Sequence, residues 1–260
     1  MNIPLFQIDA FTGRVFAGNP AAVCPLPGWI DESLMQVIAT ENNLSETAFF
    51  VKKNSFFELR WFTPVTEVDL CGHATLASAF VIMKFIEPRL TEVAFETKSG
   101  TLTVTRSGDR LTMNFPAKPP APCTAPDDLV AGLGHTPQAV LGSDDYLAVF
   151  ATEDEVRALA PDFTALSRLN LRGVIVTAPG RGADFVSRFF APGVGINEDP
   201  VTGSAHCILI PYWSARLDRT RLHALQVSKR GGELFCELKG DRVLIAGECA
   251  FYLRGEIVVP

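Results

Sequence analysis

The chain has 260 residues, 47% of them hydrophobic and 20% charged. That balance excludes a disordered polymer and predicts a globular protein of one large domain or two of roughly 100–150 residues. Its net charge of −6, with no long block of Lys and Arg, argues against a surface that tracks phosphates, so no nucleic-acid partner is expected.

In chain order, the opening "MNIPLFQIDAFTGRVFAGNP" lacks the basic-then-apolar pattern of a secretory leader, and the longest apolar stretches fall short of a membrane span. A cytoplasmic protein without a membrane partner is expected. "SFFELRWFT" is rich in aromatic residues and predicts a strand. "GHATLASAFVIMKFI", which opens at Gly72, is apolar nearly all round and predicts a helix enclosed by other structure. "GTLTVTR" and "RLTMNF" predict a hairpin turning at Ser-Gly-Asp. The proline-rich "NFPAKPPAPCTAPDD" then has neither period and reads as a boundary. Beyond it come a strand in "ADFVSRFFA" and a second enclosed helix in "GSAHCILIPYW", which Pro211 is expected to kink or end. A last hairpin, "GELFCEL" with "RVLIAGE", turns at Lys-Gly-Asp. The cysteines Cys24, Cys71, Cys123, Cys207, Cys236 and Cys249 form no CxxC pair, which signals neither a zinc site nor a disulfide framework.

The second half repeats the first. R-x-F-x-P occurs at Arg60–Pro64 and again at Arg188–Pro192, and each copy runs on to a glycine that opens an apolar helix, Gly72 and Gly203. Further on, Gly100 and Gly232, Leu102 and Leu234, and Gly-Asp-Arg at 108–110 and 240–242 match in the same order. A period this long excludes a solenoid and predicts two copies of one domain. The expected fold class is α+β, two pseudo-symmetric halves covering 1–118 and 119–260, each a barrel-like, mostly antiparallel sheet around a central helix; the C-terminal strand is allowed to return to the first half.

Two helices that begin at equivalent points present unpaired backbone N–H groups and positive dipole ends, suited to a carboxylate or a developing enolate. Thr202 or Asp199 is the expected cap of the second helix. His206, one turn further in, reads as structural.

The segments "DAFTGRVFAGNPAAV", "NNLSETAFF", "TPVTEVDLCGHATLASA" and "NEDPVTGSAH" together resemble the signature segments of the PhzF family, the phenazine-biosynthesis isomerase-like proteins, related in fold to diaminopimelate epimerase. The resemblance spans nearly the whole chain. It implies a cofactor-independent isomerase with its active site in a cleft between the halves, a small carboxylate-bearing substrate and a homodimer. It makes Glu46 the catalytic acid/base that moves a proton between carbons, and gives His73 and Ser204 roles in binding substrate and relaying protons. Gly72, Asp199 and Gly203 complete the expected substrate-binding set, with Asp199 facing Glu46 across the cleft. Such chemistry needs a carboxyl nearer neutrality than its free value of about 4.3, which partial burial or the Asp199 charge would supply. The related phenazine-pathway enzyme acts on trans-2,3-dihydro-3-hydroxyanthranilate.

Diaminopimelate epimerase places a thiol base before each helix-opening glycine. Here the two positions hold Cys71 and Thr202, and a threonine hydroxyl cannot serve as a base near neutral pH. Two-thiol epimerisation is therefore not expected, and Cys71 and Thr202 are read as lining the pocket. The alternatives are a one-base racemase or epimerase using Cys71, and a non-catalytic small-molecule-binding or interaction protein. A cysteine-protease arrangement of Cys71 and His73 is rejected because residues two apart at a helix start are expected to point in different directions. With no G-x-G-x-x-G after a strand and no phosphate-loop lysine, no nucleotide cofactor is expected, and no metal.

Overall fold

The computed structural model describes residues 1–259. The chain divides into two compact units, Met1–Asn114 with the segment from Ala246 onward, and Phe115–Ile245. The first crossing opens the proline-rich stretch. Both units are sheet-rich with few helices, an α+β protein.

In the first unit, β1 (Asn2–Ala10) lies antiparallel to β2 (Asn19–Leu26). After α1 (Glu32–Asn42), β3 (Glu46–Lys52) joins β2 in parallel and β4 (Phe57–Phe62) follows antiparallel to β3. The short β5 (Glu67–Val68) leads into α2 (Gly72–Val81); β6 (Glu92–Thr97) then returns parallel to β4, ahead of the hairpin of β7 (Gly100–Ser107) and β8 (Arg110–Pro116).

The second unit opens with β9 (Ala121–Pro122), α3 (Asp127–Leu133) and β10 (Ala139–Gly142). It then repeats the pairing order of the first. β11 (Tyr146–Val149) is followed by α4 (Glu153–Ala158) and α5 (Phe163–Leu166); β12 (Val174–Pro179) lies parallel to β11, and β13 (Phe185–Ala191) antiparallel to β12. The short β14 (Ile196–Asp199) leads into α6 (Gly203–Leu217), β15 (Arg221–Gln226) returns parallel to β13, and β16 (Gly232–Lys239) and β17 (Arg242–Gly247) follow. The last strand, β18 (Cys249–Val258), belongs to the first unit, antiparallel to β1. The strands are thus mostly antiparallel, and the parallel pairs fall at equivalent places in the two copies.

Each unit wraps its own helix. α2 packs on β1, β2 and β3; its small residues Ala74, Ala77 and Ser78 are buried and let the strands approach closely. A π-helical turn, Ile82–Ile86, extends it. α6 packs on β15 and β16, with Trp213 stacked on Phe185 at 5.5 Å and its Nε1 donating to Thr177 Oγ1 at 2.9 Å. Burying side chains of this size contributes about 1.5–3 kcal/mol each.

Pro211 does not end α6, which continues to Leu217. Proline removes the N–H that would have bonded Cys207 O, and the Lys118 N–H takes that carbonyl instead at 2.9 Å, so the helix passes through the proline without a stranded acceptor. The matched glycines Gly100 and Gly232 serve different ends. Gly100 turns with φ +93° in open space, whereas a Cβ at Gly232 would lie 2.2 Å from Val201 Cγ2, just ahead of α6. Among the described residues no helix is long and apolar enough to cross a membrane.

Candidate active site

The repeated R-x-F-x-P motif explains how each helix start is held. In the first unit Arg60, on β4, grips Glu67 of β5 with Nε at 2.7 Å and Nη2 at 2.8 Å, its guanidinium 5.2 Å from the Phe62 ring. In the second, Arg188 on β13 grips Glu198 of β14 with Nε at 2.7 Å and Nη2 at 3.0 Å, 4.8 Å from the Phe190 ring. These bidentate clamps fix the loops that deliver Cys71 and Thr202 to the N-terminal ends of α2 and α6. The R and the F of the motif are therefore clamp and platform. The sequence showed their repetition without their role.

At the first helix start the structure brings together Glu46, Cys71 and His73, all buried. Glu46 opens β3, whose run Thr47–Val51 is buried throughout, and the strand carries its carboxylate inside. The Cys71 sulfur lies 3.5 Å from His73 Nδ1, and His73 Nε2 lies 3.1 Å from Glu46 Oε2. Residues two apart at this helix start therefore do meet, contrary to expectation. Cys71 is the N-cap residue, with extended φ −143°, so its side chain follows a strand direction back over the ring instead of the helical fan. The 3.1 Å approach is off the hydrogen-bonding axis, leaving both Glu46 Oε2 and His73 Nε2 without a hydrogen-bond partner.

Burial opposes charging the His73 ring, but the sulfur and the Glu46 carboxylate outweigh it and hold its pKa well above the usual histidine value. Burial, with the Glu46 charge, pushes the Cys71 thiol up to about 11. The three donor atoms lie within 4.8 Å of one another. The sulfur sits nearest Nδ1 and a carboxylate oxygen nearest Nε2 of the same ring.

At the second helix start Asp199, Thr202, Gly203 and Ser204 come together around a residue the sequence did not flag. Gln226 accepts from the Thr202 N–H at 2.8 Å and donates to Asp199 O at 2.9 Å and to Thr202 Oγ1 at 3.2 Å. Thr202 Oγ1 donates to Asp199 Oδ2 at 2.5 Å. Thr202 does not cap α6, because its hydroxyl is committed to the Asp199 carboxylate. Cys71 likewise makes no cap hydrogen bond at α2. At both first turns the side chain of the N-cap residue leaves the N–H groups to other partners.

Ser204 Oγ accepts from Arg172 Nη2 at 3.1 Å, and the same guanidinium is held by the fully buried Asp145 at 2.9 and 2.5 Å. Neither Arg172 nor Asp145 was legible as a site neighbour. His206 is wholly buried, its Nδ1–H donating to Thr202 O at 2.8 Å, and burial depresses its pKa to about 4. It is a neutral, structural ring that steadies the backbone carbonyl of Thr202.

A family model described as "Phenazine biosynthesis-like protein" matches residues 8–255. An "uncharacterized isomerase" of Pseudomonas aeruginosa is 53% identical over 257 residues, 99% of each chain. One of Halalkalibacterium halodurans is 45% identical over 264 residues, all of each chain. A crystal structure of a PhzF-family phenazine biosynthesis protein from Enterococcus faecalis superposes with a TM-score of 0.97 at 47% identity over the whole of both chains.

Proposed function

We propose, for a chain that belongs to the phenazine biosynthesis-like PhzF family and is an isomerase, that its reaction moves one proton between carbons of a small carboxylate-bearing substrate, with Glu46 as the shuttle. One observation carries this reading. Glu46 and His73 are two buried titratable groups 3.1 Å apart whose facing atoms have no hydrogen-bond partner, and desolvated polar atoms left open in this way favour a ligand that satisfies them.

The Glu46 carboxylate takes a proton from a substrate carbon. The electron pair of the broken C–H bond delocalises toward the substrate's unsaturated system, and the Glu46 carboxylic acid returns the proton to a second carbon as the double bond shifts. Nothing is oxidised or reduced. His73, charged through its neighbours, stabilises the negative charge that develops on the substrate. Gly72 offers backbone N–H groups at the first helix start that suit the substrate's carboxylate; the second start carries N–H groups of its own at Gly203, with the Ser204 hydroxyl and the Asp199 carboxylate beside them.

The test incubates trans-2,3-dihydro-3-hydroxyanthranilate and a panel of small unsaturated carboxylates with the protein in D2O, following carbon-bound deuterium by NMR. Wild type is expected to isomerise and label at least one of them, and Glu46→Gln to lose about 10²–10⁴-fold in rate. Undiminished labelling by Glu46→Gln refutes the assignment.

The one-base reading through Cys71 is disfavoured by the burial that keeps the thiol protonated near neutral pH. Substrate-protected inactivation by iodoacetamide at Cys71 would restore it.

A further inference from the structure

Cys71 meets the His73 ring at Nδ1, with a Glu46 carboxylate oxygen within 4.8 Å of its sulfur, and the reaction above leaves that sulfur without a task. An N-cap position ordinarily holds Ser, Thr, Asp or Asn, whose oxygen satisfies the first turn. Cys71 forgoes that role. Its Sγ stands 3.5 Å from His73 Nδ1. A protonated thiol has a hydrogen to donate, and a neutral ring nitrogen that lacks one accepts it.

We propose that Cys71 is a positioning residue: its sulfur occupies His73 Nδ1 so that Nε2 carries a hydrogen toward Glu46 whether the ring is neutral or charged. When the ring is neutral, the thiol hydrogen points at Nδ1, which must then be the acceptor, and the ring hydrogen resides on Nε2. When the ring is charged, Nδ1–H donates to a sulfur lone pair and Nε2 again carries a hydrogen. What one ring nitrogen bonds decides what the other can do. The titratable groups facing the ring are Glu46 from β3 and Cys71 at the start of α2. Without the sulfur the neutral ring is free to move its hydrogen to Nδ1, and its bare Nε2, 3.1 Å from Glu46 Oε2, would then compete for the proton that Glu46 has to deliver as soon as either side chain turns onto the hydrogen-bonding axis. The inference rests on the acid/base reading of Glu46, and it is tested on the resting protein.

The measurement is the ring 15N and 13C NMR signature of His73 in wild type, Cys71→Ala and Cys71→Ser, followed upward in pH but kept below the thiol's own titration at about 11. Wild type is expected to keep a hydrogen on Nε2 throughout. In Cys71→Ala the ring should lose its proton at lower pH and show a substantial Nδ1–H population, whereas Cys71→Ser, which can still donate to Nδ1, should return most of the ring to Nε2–H. A wild-type ring that stays charged over the whole range while that of Cys71→Ala titrates into a mixture also supports the proposal. An identical ring signature in wild type and Cys71→Ala overturns it, as does a neutral wild-type ring with its hydrogen on Nδ1. None of these readings needs turnover, so a wrong assignment of Glu46 would appear as unaffected labelling by Glu46→Gln with the tautomer result intact. Once a substrate is in hand, kcat should fall about tenfold in Cys71→Ala and recover in Cys71→Ser. Equal loss in both would instead make the thiol a base.

Discussion

Truncation of Arg188 to alanine should destabilise the second unit severely. The guanidinium makes two bonds to Glu198 and donates to Val156 O at 3.1 Å and Leu159 O at 2.8 Å, so one side chain holds β13, β14 and the C-terminal end of α4 together. Both partners of the ion pair are largely shielded, with side-chain exposures of 12% and 22%. Removing one member of a fully buried pair costs about 3–5 kcal/mol, chiefly because the other charge is stranded. Each carbonyl bond adds about 1 kcal/mol net. Glu198 retains some water, which brings the expected loss to about 3–4 kcal/mol. Urea unfolding followed by tryptophan fluorescence measures it. The double variant Arg188→Met with Glu198→Leu should recover much of the loss, since it strands no charge. A loss below about 0.5 kcal/mol in Arg188→Ala, of the size found for surface pairs, would refute the claim that the motif is a clamp.

His206 gives a pH signature. Its folded pKa of about 4 lies below the free value of 6.5, so between those values the unfolded chain binds a proton that the folded chain refuses. The stability concerned is fully present above pH 6.5 and is lost as the pH falls toward 4, in all about 3 kcal/mol. Urea unfolding at pH 7, 6 and 5 should therefore show a shallower acid decline in His206→Gln than in wild type, and parallel profiles would count against a neutral buried ring. Gln226→Ala strands the buried Thr202 N–H and should cost about 1–3 kcal/mol. Because Asp199 loses its anchor, it should also raise KM more than it lowers kcat in the labelling assay. Unchanged stability and KM would show that Gln226 does not set the second helix start.

The repeat, the two enclosed helices and the hairpins were legible because their signals are local: apolar runs opened by glycine, alternation, and Gly-Asp turns. Glu46, His73, Asp199 and Ser204 could be singled out from motif resemblance. What escaped lies in contacts between segments far apart in sequence. Nothing around Pro211 announces that Lys118 will supply the missing N–H, and nothing around Gln226 announces that the end of β15 passes beside Thr202. The rejection of a Cys71–His73 contact failed for a local reason. It assumed helical geometry for a residue whose backbone is still extended.

The absence of a cap bond at Cys71 and Thr202 has a consequence for how such a scaffold can change. A residue that secures its helix is costly to replace, whatever else it does. Here the arginine clamps and Gln226 carry that duty, and the two positions that introduce the helices are relieved of it. Cys71 can therefore exchange its thiol for a hydroxyl or a smaller group with little harm to folding, and at Thr202 only the bonds to Asp199 and Gln226 constrain the exchange. Diversification of reactivity would be concentrated at these two positions while the frame around them stays as it is.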